Sequence, residues 1–154
     1  MMMEIKNVSF GYRGKQTVFK DFSLSLEEGG VYGLLGKNGT GKSTLLYLMT
    51  GLLRPCQGEV LYKGVNVSLR RPDVLSQMFI VPEEFTLPKV SLKQFVKLNR
   101  PFYPRFSDEI LRSCLHDFDM NEDIHLGDLS MGQKKKAYMC FALATNTEFL
   151  VMDE

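Results

Sequence analysis

The sequence predicts an α/β fold: a mixed sheet opened by an antiparallel N-terminal β portion, with a small helical subdomain inserted before its last strand. Three observations carry this. Val31-Tyr32-Gly33-Leu34-Leu35 is a short apolar run fit for a buried parallel strand, and it leads into Gly36-Lys37-Asn38-Gly39-Thr40-Gly41-Lys42-Ser43-Thr44. Leu45, Leu46, Leu48, Met49 and Leu52 follow at helical spacing, with Gly51 and Pro55 as the stop. Far downstream, Phe149-Leu150-Val151-Met152 is a second apolar strand, ending in Asp153 and Glu154. A doubly wound sheet gathers its ligand at the C-terminal edge of its strands, which is where both the glycine-rich stretch and the two carboxylates fall.

The elements between these landmarks follow from local pattern. Ile5, Val8 and Phe10 mark a strand over residues 3–10, and residues 11–15 read as a turn. Phe22, Leu24 and Leu26 alternate with Ser23 and Ser25, the mark of a half-buried strand, and Glu28-Gly29-Gly30 turns the chain. Residues 59–62 form a short strand before the Lys63-Gly64 turn, residues 72–76 a brief helix, and residues 78–81 a buried strand closed by Pro82. Ser91 caps a helix bearing Leu92, Phe95, Val96 and Leu98, which Pro101 and Pro104 break. Ser107 opens another, with Asp108 and Glu109 in its first turn and Ile110, Leu111, Cys114, Leu115 and Phe118 on one face. Ser130 with Gln133 matches a capping box, and Ala137, Tyr138, Phe141, Leu143 and Ala144 continue that helix. Residues 1–88 and 129–154 are thus expected to form a core, and residues 89–128 the helical subdomain.

Composition narrows the class. A chain of 154 residues is about one domain, and 44% hydrophobic with 24% charged residues is ordinary for a globular protein. A net charge of +1 gives no bulk reason to expect nucleic acid or an anionic membrane as partner. Cys56, Cys114 and Cys140 lack C-x-x-C spacing and are expected to be reduced, mostly buried thiols of a cytosolic protein. No apolar run is long enough to span a membrane. Glu4 and Lys6 follow Met1-Met2-Met3 where a signal peptide would have its apolar core.

Residues 36–44 fit G-x-x-x-x-G-K-[ST], the phosphate-binding P-loop, so the sheet is predicted to be that of a P-loop NTPase. A polyphosphate brings several negative charges, and a loop holds them only if its backbone N–H groups converge. Gly36, Gly39 and Gly41 permit that curl, with Asn38 and Thr40 completing the loop. Lys42 then reaches the β- and γ-phosphates as a point charge. The Ser43 hydroxyl suits Mg²⁺, and Ser43 and Thr44 open a helix whose N-terminal dipole favours anions. The competing reading, a solvent-exposed glycine turn, has the preceding strand and following helix against it. With a P-loop present, Asp153 reads as a holder of Mg²⁺ through water and Glu154 as the group that polarises attacking water.

Leu129-Ser130-Met131-Gly132-Gln133, or LSMGQ, resembles the LSGGQ signature of the ATP-binding cassette (ABC) ATPases, and VSFGY at residues 8–12 is similar to that family's opening. The resemblance covers the whole chain. It implies that Tyr12 stacks on adenine, against the plainer possibility of packing in its turn. It implies cofactors ATP and Mg²⁺ and a head-to-tail pairing with a second ATP-binding cassette, as homodimer or heterodimer. Ser130, Gly132 and Gln133 of one copy would then face the γ-phosphate held by the other's P-loop. A transmembrane permease subunit would convert the motion into transport, with this subunit cytoplasmic and peripheral on the inner face of the membrane. The short helical insert, Phe102-Tyr103-Pro104-Arg105-Phe106 and Gln133-Lys134-Lys135-Lys136 look similar to bacterial exporter cassettes. No nucleic acid partner is implied. The alternatives are a soluble ABC ATPase acting on ribosomes or other macromolecules, or a nucleotide-binding module without catalysis.

Three departures from the family pattern stand out. Met131 occupies the place of the signature's first glycine, where a helical residue needs no positive φ. Glu83 stands where the family has a glutamine near Mg²⁺, and it reads equally as that metal contact or as a surface-loop carboxylate. The chain stops at Glu154, before the family's interface loop, further strand and histidine. His116 and His125 precede the signature and are expected at the surface of the helical subdomain. The parent protein is accordingly expected to hydrolyse ATP. This chain is expected to bind Mg-ATP weakly, to hydrolyse it negligibly, and to hide exposed apolar sheet surface by self-association.

Overall fold

A computed structural model describes residues 1–153, which fall into two compact units, 1–75 and 76–153. In the first, strands β1 (Met3–Gly11), β2 (Thr17–Leu26), β3 (Gln57–Tyr62) and β4 (Val65–Asn66) form one antiparallel sheet in the order β2-β1-β3-β4. The strand expected over residues 3–10 is formed: Met3 and Ile5 are buried while Lys6 is exposed. Ile5 pairs with Leu24 on one side and Val60 on the other, which seats Met3, Ile5, Val8, Val60 and Tyr62 in the core. The register then slips between Lys6 and Ser9, where Asn7 takes φ 49° and Gly58 opposite takes φ 77°. A Cβ on Gly58 would collide with the Lys6 and Asn7 carbonyls, so only glycine fits.

Helix α1 (Lys42–Met49) buries Leu45, Leu48 and Met49, packing against β3. It stops at the glycine that the sequence marks. Thr50 caps it, Gly51 turns left-handed at φ 70°, and the Leu52 and Leu53 N–H groups both donate back to the Tyr47 carbonyl. Leu52 is left half exposed. Helix α2 (Pro72–Leu75) is the brief helix expected there.

The strand predicted over residues 31–35 is not formed. Those residues carry no ladder bonds, and Val31 and Leu35 are 101% and 94% exposed. An apolar run becomes a strand only when neighbours complete its ladder, and none of the described strands pairs with it.

In the second unit β5 (Met78–Val81) and β6 (Phe149–Met152) pair in parallel, Met78 opposite Phe149 and Val81 opposite Met152. Helices α3 (Leu92–Asn99), α4 (Asp108–Asp117) and α5 (Met131–Ala144) pack with this sheet into one apolar core. Each helix starts where its serine predicts. Ser91, Ser107 and Ser130 accept from the Gln94, Ile110 and Gln133 N–H groups, satisfying donors that a helix start would otherwise leave orphaned. Phe141 centres the core at 1% exposure, with the rings of Phe79, Phe95, Tyr103 and Phe106 within 6.1 Å.

The cysteines are free, but only Cys140 is buried; Cys114 is half-buried and Cys56 exposed. The expectation of mostly buried thiols fails at Cys56 because it sits in the turn entering β3, where its main chain is used, donating to the Ser9 carbonyl. His116 and His125 are both at the surface.

Candidate nucleotide site

The first unit assembles the P-loop residues. Gly39 and Gly41 take φ 80° and 99°, so the loop curls where its glycines permit. A Cβ on Gly41 would come within 2.5 Å of the Val18 side chain, which fixes the loop's exit against β2. Thr40 closes a turn inside the loop, its hydroxyl donating to the Lys37 carbonyl at 2.8 Å. Gly41 then caps α1 without a side-chain bond, and its carbonyl accepts the first helical bond, from Leu45. The N–H groups of Lys42, Ser43 and Thr44 therefore point out of the helix start beside the positive dipole end.

The Lys42 ammonium bends back over the loop and donates to the Gly36 carbonyl at 2.9 Å and the Lys37 carbonyl at 3.2 Å. These carbonyls are exposed, so the bonds are exchangeable for stronger charge-assisted bonds to phosphate oxygens. Asn38 lies at the exposed tip of the loop, and Ser43 is half-buried in the first turn of α1.

Tyr12 joins this cluster. Its hydroxyl lies 3.0 Å from the Thr44 hydroxyl, its ring meets Phe10 edge-on at 5.0 Å, and the Lys15 ammonium stands 5.9 Å from its centroid. The ring remains 40% exposed, so a face is available for stacking. Nothing in the sequence spacing signals the Tyr12–Thr44 bond or the approach of Lys15, because both depend on how the turn after β1 folds.

The second unit carries the remaining candidates. Asp153 is 5% exposed, its N–H donates to the Val81 carbonyl at 2.9 Å, and its Oδ2 is buried with no hydrogen-bond partner among the described residues. A buried carboxylate oxygen without a donor is expensive unless a cation meets it. A carboxylate is a hard oxygen donor of the kind Mg²⁺ takes, so Asp153 fits that ion; in the first unit the Ser43 hydroxyl is a donor of the same class. Glu83 lies in an exposed bend two residues past the end of β5, at the same C-terminal sheet edge as Asp153. Glu154 lies outside the described residues.

Ser130 and Gln133 close the expected capping box reciprocally: the Gln133 N–H donates to Ser130 Oγ at 3.3 Å, and the Ser130 N–H to Gln133 Oε1 at 3.0 Å. The Ser130 hydroxyl proton is still available as a donor. Gly132 faces open space, and Met131 is helical and 64% exposed, so the helix start survives the methionine. Cys140 is no competing nucleophile. Burial, reinforced by the neighbouring Cys114 thiol, pushes it up to about 12.

Comparison with known proteins gives the context of this geometry. The family model described as ABC transporter matches residues 19–154. The chain is 30% identical over 154 residues to the ABC transporter ATP-binding protein YtrB of Bacillus subtilis, covering 99% of this chain and 52% of that protein. It is 31% identical over 169 residues to the methionine import ATP-binding protein MetN 2 of Enterococcus faecalis, covering 99% of this chain and 47% of that one. The chain thus spans about half the length of these relatives. A solved ABC transporter ATP-binding protein from Pyrococcus furiosus superposes with a TM-score of 0.81 at 28% identity, over 99% of this chain and 74% of the other. With the family model matched over most of its length, the chain belongs to the ABC transporter family, among its ATP-binding proteins.

Proposed function

We propose that residues 36–44 bind Mg-ATP and that the parent protein hydrolyses it, as the energising subunit of a membrane transporter. The observation that carries this reading is the Lys42 ammonium, poised 2.9 Å from the Gly36 carbonyl over a glycine loop that opens α1. In this reading Lys42 leaves the loop carbonyls for the β- and γ-phosphates, while the Lys42, Ser43 and Thr44 N–H groups neutralise charge along the phosphate chain. In the first unit Ser43 would be a ligand of Mg²⁺; in the second, Asp153 would offer its carboxylate to that ion, with Glu83 as an outer contact, and Glu154 would orient water for in-line attack. When bound, Mg²⁺ supplies charge neutralisation across the departing phosphate. Tyr12 stacks on the base.

Ser130, Gly132 and Gln133 are proposed to act on ATP held by a second cassette. The support is an α5 N-terminus that presents a free hydroxyl proton next to a glycine with open space around it. A permease subunit would receive the movement, placing this subunit at the inner face of the membrane. Among the described residues no helix is long and apolar enough to cross a membrane. The similarity to exporter cassettes gains no support from relatives that include a methionine importer, and the reading stops at transport without a direction.

The test is phosphate release with Mg-ATP, by malachite green, together with calorimetric titration of Mg-ATP. The unmodified chain is expected to bind with negligible phosphate release, and Lys42→Ala to lower affinity at least about tenfold. Binding that Lys42→Ala leaves unchanged would sink the reading.

A further inference from the structure

Tyr12 sits in the turn after β1 and Thr44 in the first turn of α1, 32 positions further on, yet their hydroxyl oxygens lie 3.0 Å apart. The two ends of this bond are differently placed: Thr44 is 7% exposed, whereas Tyr12 is 40% exposed. Phe10, itself in the core, adds an edge-on ring contact at 85° that sets the tilt of the tyrosine. A tyrosine that merely filled its turn would gain most by burying its ring. Here the hydroxyl is anchored in the interior and the ring is held out.

We infer that the Tyr12 and Thr44 hydroxyls form a clasp that presets the stacking ring relative to the phosphate loop. The inference rests on reading residues 36–44 as an ATP site with Tyr12 against the base. It adds a positioning group, the Tyr12 hydroxyl, and its anchor, the Thr44 hydroxyl. A ring free to turn about two side-chain torsions must surrender that freedom when a base stacks on it; a clasped ring has surrendered it on folding. Thr44 also belongs to the turn whose N–H groups face the phosphates, so the same turn ties base and polyphosphate to one frame. The clasp therefore favours ligands that carry both, and does nothing for a polyphosphate alone.

Tyr12→Phe keeps the ring and removes the hydroxyl; Thr44→Ser keeps the anchor and Thr44→Val removes it. Each variant is titrated calorimetrically with Mg-ATP and with Mg-tripolyphosphate, after thermal melting without nucleotide confirms folding. Loss of one hydrogen bond predicts that Tyr12→Phe weakens Mg-ATP about 3- to 10-fold while tripolyphosphate affinity stays within about twofold. Thr44→Ser should lose less Mg-ATP affinity than Thr44→Val, and Tyr12→Phe added to Thr44→Val should cost little more, because the two groups act as one unit. Unchanged Mg-ATP affinity in Tyr12→Phe overturns the clasp and leaves the ATP site standing, as does an equal loss for tripolyphosphate. An unmodified protein that binds neither ligand overturns the ATP-site reading, and the clasp with it. Should Thr44→Val not fold, Tyr12→Phe still decides the matter.

Discussion

Asp153 donates its N–H to the Val81 carbonyl at 2.9 Å, extending the β5–β6 ladder one step past its last pair, while its own Oδ2 lies buried without a partner among the described residues. The ladder bond fixes where the carboxylate sits, and the orphaned oxygen says what it lacks. A cation would supply it, in the reading proposed above.

Asp153→Asn tests that assignment. The amide keeps the volume and loses the charge, so the nucleotide-free protein is expected to be unharmed, or stabilised by about 1 kcal/mol, because an uncompensated buried anion is gone. The advantage of Mg-ATP over ATP in EDTA, expected to be at least about tenfold in the unmodified protein, should shrink to within about threefold. Titration with and without Mg²⁺, beside a denaturant melt, reads both effects. A variant that kept the full magnesium advantage would remove Asp153 from the metal.

Gly41 and Gly39 are both left-handed, yet they should respond differently to alanine. At Gly41, φ 99° combines with a Cβ position 2.5 Å from the Val18 side chain and 3.2 Å from the Phe19 ring, so strain and overlap add. Gly41→Ala should cost about 2–3 kcal/mol. At Gly39, φ 80° meets nothing within 4 Å, and Gly39→Ala should cost only about 1 kcal/mol. Urea melts of the two variants compare the costs; equal losses would mean that the contact with Val18 contributes nothing.

What could be read from the sequence follows the range of the forces involved. Ser91, Ser107 and Ser130 announce their helices because a cap bond spans three residues, and the loop at residues 36–44 announces itself because its glycines and lysine act within one turn. Val31 and Leu35 mislead because a strand is made by its neighbours, which the apolar run cannot name. Gly51 marks the end of α1 because a left-handed turn is settled within the glycine's own backbone. The bond between Tyr12 and Thr44 is invisible for the opposite reason: two hydroxyls 32 positions apart meet only after β1, its turn and α1 are in place.

Cys140 makes the fold sensitive to alkali. Burial first, and then the nearby Cys114 thiol, raise its ionisation from the ordinary 9.0 up to about 12. Because the folded value lies above the unfolded one, the stabilisation is complete below about pH 9 and is lost as pH rises towards about 12. Within that window the unfolded chain releases a proton that the folded chain keeps, which gives a slope of about −1.4 kcal/mol per pH unit. Burial raises Tyr103 and Tyr138 in the same sense, so they steepen the loss above their ordinary 10.0. Denaturant melts between pH 8 and 11 should show the decline, and Cys140→Ala should remove its portion beginning near pH 9, at the cost of a small cavity in the apolar core of the second unit. In the folded state at pH 8 an aromatic disulfide reagent should label exposed Cys56 rapidly and Cys140 only on unfolding. Equal labelling rates at the two thiols would contradict the packing of α5.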